Sequence, residues 1–174
     1  MGTAVLLVDL YQRGSNNLVC PYRRLDDRTG LFDDVRKLMD CASKNGWPVV
    51  VTSYRRWGRH LTEVEGHQNF EAALKIKKRN QDPFSNPQLD IFLKDQNIEA
   101  LAIGGYSLYE CVAITARSAK EKGYFTVTTP TILFIDTLQQ VDLEAMEKVE
   151  DHFARIFRSI DDLAQELTQE KVLS

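Results

Sequence analysis

The chain has 174 residues, 43% of them hydrophobic and 27% charged, with a net charge of -3. Such a chain is expected to form one globular domain over residues 1–174 with a substantial core. The weak negative charge argues against a general nucleic-acid partner, and no apolar stretch is long enough to span a bilayer, so no membrane partner is expected.

The chain opens MGTAVLLVDL. It has no basic leader and no small-residue cleavage site, so residues 3–9 read as a strand buried on both faces, not as a signal peptide. Position 6 is Leu6, where a myristoylation signal needs Ser or Thr. Leu31, Val35, Leu38, Met39 and Ala42 recur at helical spacing, and Gly46 follows as a stop. Residues 47–52 (WPVVVT) predict a second strand, and 74–78 (LKIKK) a shorter, more polar third. Residues 87–96 predict a helix with Pro87 in its first turn.

Residues 100–104 (ALAIG) predict a fourth strand, and 108–122 a helix closed by Gly123. Residues 124–128 predict a fifth strand, 142–153 a helix and 154–158 a sixth strand. Ser159 caps a last helix, with Asp162 three residues on. This alternation predicts a parallel sheet with helices on both faces. Two long loops, about 10–30 and about 54–73, are candidates for function.

Cys20, Cys41 and Cys111 are odd in number and scattered, with no CxxC pair. They imply no disulfide framework and a reducing, cytoplasmic setting. With only His60, His67 and His152, histidine chemistry has little to draw on.

In a parallel α/β sheet the site lies beyond the carboxyl ends of the strands. Asp9 ends the first strand; alone, it reads most simply as a turn or cap residue. Lys78 ends the third among Lys75, Lys77 and Arg79. Such a cluster can be a solvated edge, although alternation sends Lys77 and Lys78 to opposite faces. Cys111 stands where a helix begins. It is either a small buried hydrophobe or a thiolate favoured by the helix dipole and backbone N–H groups. Cys111 and Arg117 match C-x5-R, but the intervening VAITA has no glycine and reads as buried helix. His60 and His67 fit no strong metal spacing.

Asp9, Lys78 and Cys111 form a combination that resembles the isochorismatase-like cysteine hydrolases, which include nicotinamidases and other small-amide hydrolases. AVLLVDLYQ is similar to the family's first strand and its catalytic Asp. KKRNQDPF, followed by PQLDIFL, resembles its lysine segment, where Phe84 comes six residues after Lys78. GGYSLYECVAITARSAKEKGY resembles its cysteine motif, and ARIFRSIDDLAQEL its last strand and helix.

The resemblance implies a three-layer α/β/α, Rossmann-like fold with a six-stranded, mainly parallel sheet in the order 3-2-1-4-5-6. It implies an Asp9-Lys78-Cys111 triad that cleaves an amide-like C–N bond through a thioester on Cys111. It also implies a cis peptide between Gly105 and Tyr106, which helps aim a backbone N–H at the oxyanion together with that of Cys111. A homo-oligomer, dimer or tetramer, goes with the family.

The chain departs from the family in places. The metal-binding members carry Asp-x-His-His after the second strand. Here that region reads TSYRRWGRHLTEVEGH, so no metal and no other cofactor is expected. Tyr11 stands where the family often has Gln. The fifth strand runs into TTPTILF without the usual acidic end. Arg55, Arg56 and Trp57 suit a pocket for an anionic small molecule, or a solvated loop at a neighbouring subunit. Tyr11, Phe84 and Tyr106 are further substrate-binding candidates. Two rival readings stand beside the amidase: vinyl ether hydrolysis of the isochorismatase type, and a non-catalytic binding relative.

Overall fold

The computed structural model describes residues 1–12, 18–19, 33–54, 72–135 and 141–169. Strand β1 (Gly2–Val8) is buried from Thr3 onward, as its unbroken apolar run requires. After a two-strand antiparallel hairpin, β2 (Tyr11–Gln12) and β3 (Leu18–Val19), comes helix α1 (Asp33–Asn45). Strands β4 (Val49–Tyr54) and β5 (Leu74–Lys78) follow. A 3₁₀ turn at Pro83–Ser85 leads into α2 (Pro87–Asp95) and then β6 (Ile98–Tyr106).

Beyond β6 the chain makes a π-helical turn, Leu108–Val112, that runs straight into α3 (Ala113–Glu121). The rest comprises β7 (Phe125–Thr128), β8 (Leu133–Phe134), α4 (Leu143–Glu147), β9 (Arg155–Ile156) and α5 (Ile160–Gln169). The Ser159 hydroxyl accepts from the Asp162 N–H at 3.1 Å, the cap expected at the start of α5.

The main sheet runs β5-β4-β1-β6-β7-β9, all parallel. That is the expected order 3-2-1-4-5-6. It carries a seventh strand, β8, where six were expected. β8 pairs with β6 at Gly105 and Tyr106, past the point where β7 leaves it at Ala102. A two-residue strand has no alternation to read, which is why TTPTILF gave no sign of it. The helix expected over 142–153 divides into α4 and a 3₁₀ turn at Glu150–His152.

Helix α1 turns Val35, Leu38, Met39 and Ala42 inward against β1 and α5. α2 and α3 both pack on the 83–85 turn and cover the sheet through Leu89, Leu93, Ala116 and Ala119. The sheet reverses its direction of growth between β1 and β6. Crevices at such switch points are where open α/β sheets place ligands. Among the described residues no helix is long and apolar enough to cross a membrane.

Candidate active site

Asp9 follows β1 directly, with φ of 51°. That left-handed conformation ends the strand, and Asp is among the few side chains that tolerate it. Its N–H donates to the Thr52 carbonyl at 3.1 Å, which anchors it to β4. The side chain is 2% exposed.

Lys78 is the last residue of β5, on the strand face that also buries Ile76, while Lys75 and Lys77 face solvent. Alternation thus separates Lys78 from its basic neighbours. Its Nζ lies 2.6 Å from Asp9 Oδ2 and donates to the Gln81 carbonyl at 3.2 Å. β4 lies between the two residues' strands, so the pair spans about 10 Å of sheet at the usual strand spacing. A long side chain is needed to close that gap.

Cys111 belongs to the turn that leaves β6. Val8 stands opposite Gly105, so β1 and β6 end side by side, with Asp9 after one and the cysteine turn after the other. The Val112 N–H donates five residues back to the Ser107 carbonyl at 3.1 Å, which widens the turn. The buried Thr115 hydroxyl donates to the Cys111 carbonyl at 2.5 Å, holding the junction between π turn and helix. Cys111 is itself buried, at 5% exposure, and neither Cys41 nor Cys111 is in a disulfide. Burial pushes the Cys41 thiol up from its ordinary value, which makes it a poor nucleophile near neutral pH.

One expectation needs correction. The non-proline cis peptide lies between Tyr106 and Ser107, one bond later than Gly105–Tyr106. Gly105 bends the chain by its φ of 136° instead. A Cβ there would meet the Val8 carbonyl oxygen at 2.0 Å, so only glycine allows β6 to lie this close to β1.

The other sequence candidates divide. Tyr106 is buried at the end of β6, beside the cysteine turn. Phe84 stacks on Tyr124 with ring centroids 5.9 Å apart, and Lys122 Nζ sits 5.9 Å from its ring. Of Tyr11 only the backbone is described, in β2. Arg55, Arg56, Trp57, His60 and His67 lie outside the described residues. Arg117 is exposed and pairs with Glu121 at 3.9 Å. Among the described residues no group of three or more His, Cys, Asp or Glu could share a metal ion.

Sequence reasoning missed a set of polar residues around the lysine loop. Gln81 Nε2 donates to Glu110 Oε2 at 3.2 Å, next to Cys111. The Asp82 carboxylate accepts from the Phe84 N–H and from the Ser118 hydroxyl of α3. An Asp before Pro83 was legible as the cap of a short turn. Its partner on α3, far along the chain, was not.

A model of the isochorismatase domain matches residues 3–130, more than half of the chain. The chain belongs to the isochorismatase family. This membership places it among hydrolases.

Solved structures agree in fold. An isochorismatase-like hydrolase from Alkaliphilus metalliredigens has a TM-score of 0.70 at 18% identity, covering 96% of this chain and 99% of its own. The N-carbamoylsarcosine amidase from Thermoplasma acidophilum has a TM-score of 0.65 at 21% identity, covering 91% and 96%. The pyrazinamidase of Pyrococcus horikoshii, in complex with zinc, has a TM-score of 0.66 at 14% identity, covering 91% and 99%. At such identities these likenesses show the isochorismatase fold alone. No curated protein sequence matches the chain.

Proposed function

We propose that this isochorismatase-family hydrolase is a cysteine hydrolase that cleaves an amide-like C–N bond of a small molecule, with Asp9, Lys78 and Cys111 as its catalytic residues. The observation that carries the reading is the sealed ion pair of Lys78 and Asp9, 2.6 Å apart, at the strand ends where the cysteine turn also begins. A buried charge pair is costly to keep for stability alone, and buried ionisable groups at a crevice mark functional sites.

In the proposed reaction Asp9 takes the proton from the Cys111 thiol, and the sulfur attacks the substrate carbonyl carbon. The C–N bond breaks as Asp9 passes that proton to the departing nitrogen. A water molecule then attacks the thioester and gives a proton to Asp9. The carbon–sulfur bond breaks, Asp9 returns the proton to sulfur, and the product leaves as an acid. Lys78 holds the Asp9 carboxylate in place and favours the Cys111 thiolate electrostatically. Backbone N–H groups of the Tyr106–Cys111 stretch are the proposed donors to the oxyanion.

The arginine loop at Arg55 and Arg56, with Trp57, Tyr11 and Tyr106, is our proposed anchor for an anionic substrate. No metal is invoked, because TSYRRWGRHLTEVEGH lacks the Asp-x-His-His pattern of the metal-binding members. The resemblance also leads us to propose a homo-oligomer, which light scattering measures directly.

The test is a screen of small amides for ammonia release, run on wild type and on Cys111→Ala. Loss of release in the variant supports the cysteine mechanism. Release that persists points instead to amide hydrolysis driven by Asp9 without the thiol, or to a contaminant.

A further inference from the structure

Among the described residues β5 is the last strand of the sheet, paired by β4 alone. The end of such a strand has little to hold it, yet Lys78 at that end must meet a carboxylate two strands away. The loop that follows supplies anchors. Lys78 Nζ donates to the Gln81 carbonyl at 3.2 Å. One residue on, the Asp82 carboxylate serves two donors. Its Oδ1 accepts from the Phe84 N–H at 2.9 Å, capping the 83–85 turn. Its Oδ2 accepts from the Ser118 hydroxyl at 2.9 Å. Ser118 lies on α3, about two helical turns beyond Cys111. A carboxylate can receive both donors at once, whereas an amide has a single oxygen to offer. The exposed bond from Gln81 to Glu110 adds a second, weaker tie between the same loop and the cysteine turn.

We propose that Asp82 is a positioning residue. It clamps the Lys78–Gln81 loop to the helix that carries Cys111, and so fixes Lys78 and its partner Asp9 relative to the thiol. This inference rests on the reading of Asp9, Lys78 and Cys111 given above. It adds a residue that touches neither substrate nor reacting atoms.

The probe is iodoacetamide, with alkylation of Cys111 followed by peptide mapping at about pH 6.5 and about pH 9.5. Cys41, on the same chain, is the internal standard. Asp82→Ala is expected to slow Cys111 alkylation about tenfold at the lower pH while leaving the higher-pH rate close to wild type, since alkali ionises the thiol without help from Asp9. Ser118→Ala should move the ratio of the two rates the same way, by less. Asp82→Asn, with one acceptor oxygen, should fall between wild type and Asp82→Ala.

A purely structural role would lower the unfolding midpoint and leave the ratio unchanged. That ratio in folded Asp82→Ala would overturn the proposal, while a slow Cys111 in that variant beside a fast one in wild type supports it. If Asp82→Ala does not fold, Ser118→Ala decides, because it removes one hydroxyl only. A wild-type Cys111 that reacts no faster than Cys41 at the lower pH would instead overturn the thiolate reading itself, and this inference with it.

Discussion

Lys78 Nζ stands 2.6 Å from Asp9 Oδ2, and neither side chain is more than 2% exposed. The two residues lie far apart in sequence and on strands that are not neighbours. Removing one partner leaves the other charge buried. Lys78→Met is therefore expected to destabilise the fold by about 3–5 kcal/mol, measured by urea unfolding, and to abolish ammonia release. The double variant Asp9→Asn with Lys78→Met should recover much of that stability without recovering turnover. A double variant less stable than Lys78→Met alone would count against the pair as described.

Gly105 and the Val8 carbonyl explain a second expectation. A methyl group at Gly105 would lie 2.0 Å from that oxygen, and φ is 136°. Gly105→Ala must push β6 from β1 just before Asp9. Backbone strain alone costs about 1–3 kcal/mol, and the clash adds to it. Gly46 has φ of 65° but nothing within 4 Å of the built Cβ. Gly46→Ala should cost only about 1 kcal/mol and leave turnover unchanged. Thermal unfolding of the two variants separates steric contact from conformational preference.

Thr115 holds the Cys111 carbonyl through its buried hydroxyl. Thr115→Val keeps the shape and loses the bond. A stability loss of about 1 kcal/mol is expected, with slower alkylation of Cys111 as the turn relaxes. Unaltered alkylation would show that the turn holds its geometry without this bond.

Asp90 gives the fold a pH dependence away from the candidate site. The bond from Lys94 is the largest influence holding its carboxyl below the ordinary value of 3.8, opposed by burial and assisted by Tyr124 and Lys122. A depressed folded value means that the stabilisation is present above the unfolded value. It is lost as pH falls through the folded one. Wild type should lose stability more steeply than Asp90→Asn as pH drops from about 5 to about 2, in unfolding curves taken at fixed salt. Parallel pH curves for the two proteins would remove Asp90 from the account of acid unfolding.

The lysine segment shows how far local pattern reaches. Alternation alone separates Lys77 from Lys78, and the structure buries the second and exposes the first. The same segment contains Phe84, whose six-residue interval from Lys78 matches the family's lysine segment. Its ring meets Tyr124 and Lys122. Sequence interval fixes how far a residue can be from its neighbour, and a 3₁₀ turn capped by Asp82 decides where the ring points.

By itself the sequence determined the alternation of six strands with helices and the three polar residues at their carboxyl ends. These follow from hydrophobic period and from chain direction in a parallel sheet, both of which are local or nearly so. The order of the strands was implied only by the family resemblance. The tertiary structure decided the rest. It set the Lys78–Asp9 pairing across β4, the short β8 beside β6, and the hydrogen bond from Ser118 to Asp82. Each depends on the approach of segments distant in the chain, where partner, distance and burial exist only once the sheet has closed its layers.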